Sequence, residues 1–472
     1  MTSPDSPHHT DHTVPFTGAR GFAGRSALVC GTGLAGVSAA RALLEVGAAV
    51  SVCSDGPPPA GGALPAGAVF AGALSTVPAE VEVVVASPGL APSHPLLLDA
   101  AAHGIPVLGE LEFAWRLREP GAAEWLLVTG TNGKTTTTRM LEAMLRAGGL
   151  RAVAVGNIGT PIIDAVRAEP AYDVLAVEAS SFQLHFSDTL APLAGVLLNL
   201  AEDHLDWHGS MASYAADKSK VWAGSVAVAN ADDQAVLELL DAVAPAVDVV
   251  EFTLGPPGPG RFGVVDGWLA DASGRQVIPV AEIRPPGAHN VANALAAAVL
   301  AAAAGVDGTA IAAGLRSFAP EPHRNMLVRT LSGVRYVDDS KATNPHATAA
   351  SLGSYERVVW IAGGQLKGAS VDGLVADFAD RLAGVVLLGV DREVIRSALT
   401  RHAPNLPVIM VDRNDDRAMH DVVAAAAALA TPGDVVLLAP AAASKDMFAS
   451  YGARGRAFAA EVAALAEGRS GT

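Results

Sequence analysis

The run EWLLVTGTNGKTTT, residues 124–137, passes from an apolar stretch into glycines, one lysine and a row of threonines. A glycine-rich turn between a strand and a helix aims backbone N–H groups at one anion, and the helix start adds roughly half a unit of positive charge. Gly130, Thr131, Asn132, Gly133, Lys134, Thr135 and Thr136 therefore form a candidate phosphate cradle. Lys134 is expected to reach the β- and γ-phosphates of a nucleoside triphosphate, and the Thr135 hydroxyl to ligate Mg²⁺. The helix-forming TRMLEAMLRAGG follows. The loop is short: G-x-x-x-x-G-K-[ST] needs glycine at Val128, and the first glycine is Gly130. A simple helix cap would explain Thr and Asn near a helix start, but it has no need of the lysine.

Other candidates sit at the ends of apolar runs. DVLAVE ends on Glu178, and GVLLNLAEDHLD carries Asn199, Glu202, Asp203 and His204. Ligands of parallel sheets lie beyond the carboxyl ends of strands. Lys134, Thr135, Glu178 and His204 are thus expected to converge on a hard-cation and phosphate site. ADKSKVW offers Lys218 and Lys220, which by type alone suit a solvated helix face. Asn290 and Asn293 lie one helical turn apart, fit to cap a helix or to grip a base or phosphate. GTGLAG (Gly31, Gly33, Gly36), with Asp55 after the next apolar run, is by itself a weak dinucleotide fingerprint.

The elements that must position these residues read as alternating α and β. SALVCG, AAVSVCS and VEVVVAS are strand-like, with the helical LAGVSAARALLEVG between the first two. EWLLVTG, DVLAVEAS, AGVLLNLAE and SVAVANADD form a second block; RVVWIAGG, GVVLLGV, PVIMVD and DVVLLAPA form a third. GPPPAGGALPAG and FTLGPPGPGRFG read as loops. At 472 residues the chain has room for about three α/β domains. The expected boundaries give a disordered tail (1–19) and domains 20–118, 119–320 and 321–472. A net charge of −16 argues against a general nucleic-acid binder. Cys30 and Cys53 fit no metal spacing and read as buried free thiols of a reducing compartment. His8, His9 and His12 belong to the polar tail, which lacks the apolar core of a signal peptide. The Ala-rich runs are too short and weakly apolar to span a bilayer, so a soluble, cytoplasmic chain is expected.

GTNGKTTT, EASSFQL, NLAEDHLDWHGSMASYAADKSKVW, GAHNVANALAAA, EPHRN and DDSKATNPHAT, in that order, resemble the Mur ligases of peptidoglycan synthesis. The shortened phosphate loop is characteristic of that family. The resemblance covers nearly the whole chain after the tail. It implies a Rossmann-like N-terminal domain for a UDP-sugar, a central P-loop ATPase, and a Rossmann-like C-terminal domain for an amino acid. It implies ATP and two Mg²⁺ ions, with Thr135, Glu178, His204 and a CO₂-carbamylated Lys218 as metal ligands. Lys134, His204 and Lys218 would form the catalytic group. Asn290, Asn293, Arg324, Asp339 and Lys341 would contact ATP. Gly33, Leu34, Asp55, Ser87, Gly89 and Asn157 would contact the UDP-sugar, with Ala35 where relatives can carry a hydroxyl. KATNPHA, GGQLKGAS and APAAASKDMFASYGARG resemble the D-glutamate-adding branch, which implies Thr343, Lys367, Ser444 and Tyr451 around D-glutamate. The implied substrates are UDP-N-acetylmuramoyl-L-alanine and D-glutamate, and the implied assembly is a monomer with no nucleic-acid or membrane partner.

Three other readings compete. An NAD-dependent oxidoreductase would rest on GTGLAG and Asp55 and leave GTNGKTTT and EDHLD unexplained. A non-catalytic P-loop switch would leave Thr343, Lys367 and Ser444 without a job. A folylpolyglutamate synthetase-like ligase would share the central motifs but match the two ends less well.

Overall fold

The computed structural model describes residues 17–56, 64–320, 322–413, 415 and 417–465. The tail positions His8, His9 and His12 lie outside the described residues. Packing divides the described chain into two units: residues up to Glu251 with Ala296–Ile311, and Phe252–Leu295 with the residues from Ala312 onward.

In the first unit, five parallel strands form one sheet in the order Val69–Gly72, Ala49–Cys53, Ser26–Cys30, Val83–Ala86, Val107–Gly109. A second parallel set runs Val226–Asn230, Ala194–Leu197, Glu124–Thr129, Val174–Glu178, Ala152–Gly156. The strands Glu124–Thr129, Val174–Glu178 and Ala194–Leu197 are buried along nearly their whole length. A strand covered on both faces needs continuous apolar sequence, which is why these runs do not alternate. One apolar core serves both sheets, from Phe22, Val29 and Phe113 to Trp125, Leu175 and Trp222. Trp222 is fully enclosed, and its indole N–H donates to the Val228 carbonyl at 3.0 Å. Cys30 and Cys53 are free, buried and directly paired across adjacent strands.

In the second unit a parallel sheet runs Val334–Asp338, Val435–Leu438, Val358–Gly363, Leu382–Leu388, Val408–Met410. Met326–Leu331 adds an antiparallel edge on Val334–Asp338. Trp360 sits in the middle with its indole N–H on the Ala439 carbonyl at 2.7 Å. A small antiparallel meander, Arg261–Val265, Trp268–Ala270 and Gln276–Pro279, belongs to this unit as well. Part of FTLGPPGPGRFG, expected to be loop, is strand: Phe252 ends one and Arg261 begins another. The three-block α/β expectation holds, and the structure adds antiparallel pieces that short, Gly-rich sequence conceals.

Candidate functional site

In the first unit the loop after Glu124–Thr129 turns into the helix Lys134–Ala147. Gly133 caps that helix at φ 85°, a left-handed conformation that a side chain resists. The turn is tied to the next strand end. Asn199 Oδ1 accepts the Asn132 N–H at 2.8 Å, and Asn199 Nδ2 donates to the Asn132 carbonyl at 3.1 Å. The Thr131 hydroxyl lies 3.1 Å from the Tyr214 hydroxyl and also donates to the Ala201 carbonyl. Lys134 Nζ donates to the Gly130 and Thr131 carbonyls, each at 2.9 Å.

Lys218 departs from the solvated face that its type suggests. It is 1% exposed, near the end of the helix Met211–Ser219, and Nζ donates to the Gly130 carbonyl at 2.8 Å. Burial holds its pKa well below the usual lysine value; the Lys134 cation lowers it further, and Asp203 opposes the shift. Lys220, two residues on, lies at the edge instead, with Nζ on the His185 carbonyl at 2.8 Å.

Glu178 is 2% exposed at its strand end. Its Oε1 accepts Asn157 Nδ2 at 2.8 Å, while Oε2 is buried with no hydrogen-bond partner. A buried carboxylate oxygen left unpaired is costly, and a cation would relieve that cost. The next residue, Ala179, accepts the Thr129 hydroxyl at 2.8 Å, and Lys218 Nζ lies 3.4 Å from that same hydroxyl. The ends of three neighbouring strands thus meet the phosphate loop and Lys218. His204 has φ 53° and caps the short helix Leu205–His208, with its ring against Phe182 at a centroid distance of 4.8 Å. Among the described residues no three His, Cys, Asp or Glu side chains stand ready as a metal cage. The expected set supplies only Glu178 and His204 from those types; the rest would be Thr135, phosphate oxygens and a modified Lys218. Such a donor set suits an oxygen-seeking ion such as Mg²⁺.

In the first sheet, Gly33 caps the helix Leu34–Glu45, and Leu34 is 81% exposed. Ser87 packs on Gly31 and its N–H donates to the Cys30 carbonyl. Gly89 follows in the same turn, and Asp55 Oδ2 lies 3.4 Å from His94 Nε2.

The remaining candidates belong to the second unit. Asn290 and Asn293 are both buried, with Asn293 Nδ2 on Asn290 Oδ1 at 3.3 Å. Arg324 stands between two left-handed residues, His323 and Asn325. Asp339 is buried, which raises its pKa to about 6 against the pull of the Ser351 hydroxyl, the Asn325 N–H and Arg324. Lys341 Nζ lies 4.0 Å from the centre of the Tyr451 ring. Thr343 and Lys367 are reachable from solvent, and Ser444 is 5% exposed. Sequence reasoning passed over Arg454. It is 1% exposed and donates to Ser340, Gly363 and Ala442, binding together the turns that carry Lys341, Lys367 and Ser444. Also passed over were Ser181, His208 and Asp217, although the run DWHGS holds a second histidine close to His204.

Three family descriptions match in order: Mur ligase MurD-like, N-terminal domain (25–109), Mur ligase middle domain (128–301) and Mur ligase, glutamate ligase domain (323–442). The UDP-N-acetylmuramoylalanine--D-glutamate ligase of Thermobifida fusca is 54% identical over 465 residues, covering 94% of this chain and 99% of that protein. The protein of the same name from Streptomyces avermitilis is 50% identical, covering 94% and 98%. The solved UDP-N-acetylmuramate-alanine ligase MurC of Thermotoga maritima shares the fold, with a TM-score of 0.58 at 17% identity over 93% of this chain and 99% of that one. MurF of Acinetobacter baumannii does so at 0.58 and 19%, covering 89% and 88%. Matched in order along three segments and so alike to full-length relatives, the chain belongs to the Mur ligase family.

Proposed function

We propose that this protein is an ATP-dependent ligase that joins D-glutamate to UDP-N-acetylmuramoyl-L-alanine in peptidoglycan precursor synthesis. The observation that carries the proposal is the 54% identity to a ligase of that name, spread over 94% of the chain. The free carboxylate of the L-alanine residue attacks the γ-phosphate of ATP, releasing ADP and leaving an acyl phosphate. The D-glutamate amine attacks the acyl carbon, and phosphate departs. A carboxylate is a poor electrophile at neutral pH, so the phosphorylation makes the amide accessible.

Two anions must approach each other, so charge neutralisation and positioning dominate the rate. Lys134, now on the loop's own carbonyls, would turn to the β- and γ-phosphates. The buried Glu178 Oε2, His204, Thr135 and a carbamylated Lys218 would hold two Mg²⁺ ions, which supply charge neutralisation. Carbamylation needs an unprotonated amine, and the burial that lowers the Lys218 pKa favours that form. Asn157 would orient Glu178 and meet the UDP-sugar, with Gly33, Leu34, Asp55, Ser87 and Gly89 at the nucleotide. Asn290, Asn293, Arg324, Asp339 and Lys341 would contact ATP. Thr343, Lys367 and Ser444 supply two hydroxyls and a cation, chemistry suited to a dicarboxylate; Tyr451 would line the same pocket. Among the described residues no helix is long and apolar enough to cross a membrane. We place the enzyme in the cytoplasm, acting as a monomer.

Phosphate release from ATP with UDP-N-acetylmuramoyl-L-alanine, compared across D-glutamate, L-glutamate, L-lysine and diaminopimelate, tests this. D-glutamate alone should drive release, and Lys134→Ala should abolish it. Release driven best by another amino acid would overturn the assignment.

A further inference from the structure

We infer that His208, through Asp217 and Ser181, is a positioning residue for the metal-binding group: one imidazole fixes the three chain segments that carry Glu178, His204 and Lys218. The inference rests on the reading of those three residues given above.

His208 is the last residue of the helix Leu205–His208, which His204 caps, and its side chain is 1% exposed. Nδ1 lies 3.1 Å from Asp217 Oδ2, and Nε2 lies 2.9 Å from Ser181 Oγ. Ser181 comes three residues after Glu178, and Asp217 directly precedes Lys218. The Asp217 carboxylate only accepts, so Nδ1 of His208 donates to it; Nε2 shares a hydrogen bond with the Ser181 hydroxyl and accepts it when the ring is neutral. Burial favours that neutral form, lowering the His208 pKa against the pull of Asp217. His185 Nδ1 meets the same Asp217 oxygen at 2.9 Å. Phe182 stacks on His208 with planes 13° apart and meets the His204 ring at 4.8 Å with planes 61° apart. Tyr214 packs on His208 at 5.2 Å between ring centroids, and its hydroxyl reaches Thr131 of the phosphate loop.

The consequence is rotational. Met211–Ser219 has nine residues, too few to hold its own conformation in water. Its orientation is therefore set by what it packs against. Adjacent residues on a helix project about 100° apart. Anchoring Asp217 on one side turns Lys218 inward, toward the Gly130 carbonyl. Releasing Asp217 frees the helix to roll, and a misplacement of about 1 Å can cost roughly 100-fold in rate.

The test uses the full chain with His208→Ala, His208→Asn, His208→Gln and Asp217→Asn. The readouts are D-glutamate-dependent phosphate release, the Mg²⁺ concentration for half-maximal rate, the melting temperature, and the carbamate resonance of Lys218 in ¹³C-bicarbonate. His208→Ala should lower kcat about 100-fold, raise the Mg²⁺ requirement and weaken the carbamate resonance, with KM for D-glutamate unchanged. His208→Asn keeps an N–H where Nδ1 stood and should recover most of the loss; His208→Gln, which reaches only toward Ser181, should not. Asp217→Asn keeps an acceptor for the His208 N–H but loses the charge, and should lose less than His208→Ala. An alanine variant with normal Mg²⁺ dependence and carbamate signal overturns the inference. So do Asn and Gln variants whose activities fall equally and in step with melting temperature. A wild-type protein with no carbamate resonance and no D-glutamate-dependent release overturns the underlying site reading instead.

Discussion

Lys134 and Lys218 donate to the same oxygen, the carbonyl of Gly130, at 2.9 and 2.8 Å. Two ammonium groups on one acceptor repel each other, and the more buried one yields its proton more readily. That one is Lys218, whose depressed pKa comes first from burial and then from Lys134. A buried amine whose charged form is disfavoured is a poorer partner for phosphate and, once deprotonated, a good nucleophile for CO₂. In the proposed site the two lysines would be divided by environment: Lys134 would serve the nucleotide, and Lys218 would be available for carbamylation.

Removing the second lysine should show which role it has. Lys218→Ala is expected to lose at least about 100-fold in phosphate release, as for loss of a preorganised electrostatic group. Acetate or formate, filling the space as a substitute carboxylate, should restore part of it. Wild-type turnover in the variant, or a loss that short carboxylates never relieve, would speak against a carbamate there.

Glu178 gives a metal test that separates function from folding. Its Oε1 is held by Asn157, but its buried Oε2 has no partner. Glu178→Gln removes the charge and keeps the shape. The Mg²⁺ concentration for half-maximal rate should rise about 10-fold or more, while the melting temperature stays level or climbs, since no paired charge is broken. An unchanged Mg²⁺ requirement would exclude Glu178 as a ligand.

Asp339 predicts a pH dependence of stability. Its ordinary pKa of 3.8 is raised to about 6 in the folded chain, so between these values the folded state binds more protons than the unfolded one. Unfolding free energy from this group therefore falls as pH rises from 3.8 to 6, by up to about 3 kcal/mol. Asp339→Asn removes the effect. Urea unfolding without nucleotide should show the variant gaining on wild type between pH 4 and pH 7, whatever its activity. A constant difference across that range would refute the burial argument.

Gly195 controls how closely the Lys218 segment can lie on the central sheet. A Cβ there would come within 2.0 Å of the Val221 carbonyl oxygen, which is backbone and cannot swing aside. Gly195→Ala should destabilise the protein by about 2–3 kcal/mol, an overpacking cost. It should also diminish the Lys218 carbamate resonance, because Val221 is three residues from that lysine. Thermal unfolding and the ¹³C spectrum check both; a melting temperature equal to wild type would sink the prediction.

Much of the fold is legible in the sequence. EWLLVTG, DVLAVEAS and AGVLLNLAE each hold a strand, because strands buried on both faces must be continuously apolar. The phosphate loop was legible because its glycines, lysine and threonines act within a few residues of one another. The meander Arg261–Pro279 was not, since its short strands carry little alternation and sit among glycines.

The sequence by itself determined the class of fold, the order of motifs and the residue types able to bind a triphosphate. It could not tell Lys218 from Lys220, two lysines on one polar segment. Tertiary structure made that choice. Asp217, held by His185 and His208, fixes the rotation of a helix too short to set its own, and Gly195 lets the following turn sit down on the sheet. Nor could local pattern show that His208 is enclosed while His204, four residues before it, stays half exposed. Burial depends on what distant segments bring to a side chain, and spacing along the chain does not encode it.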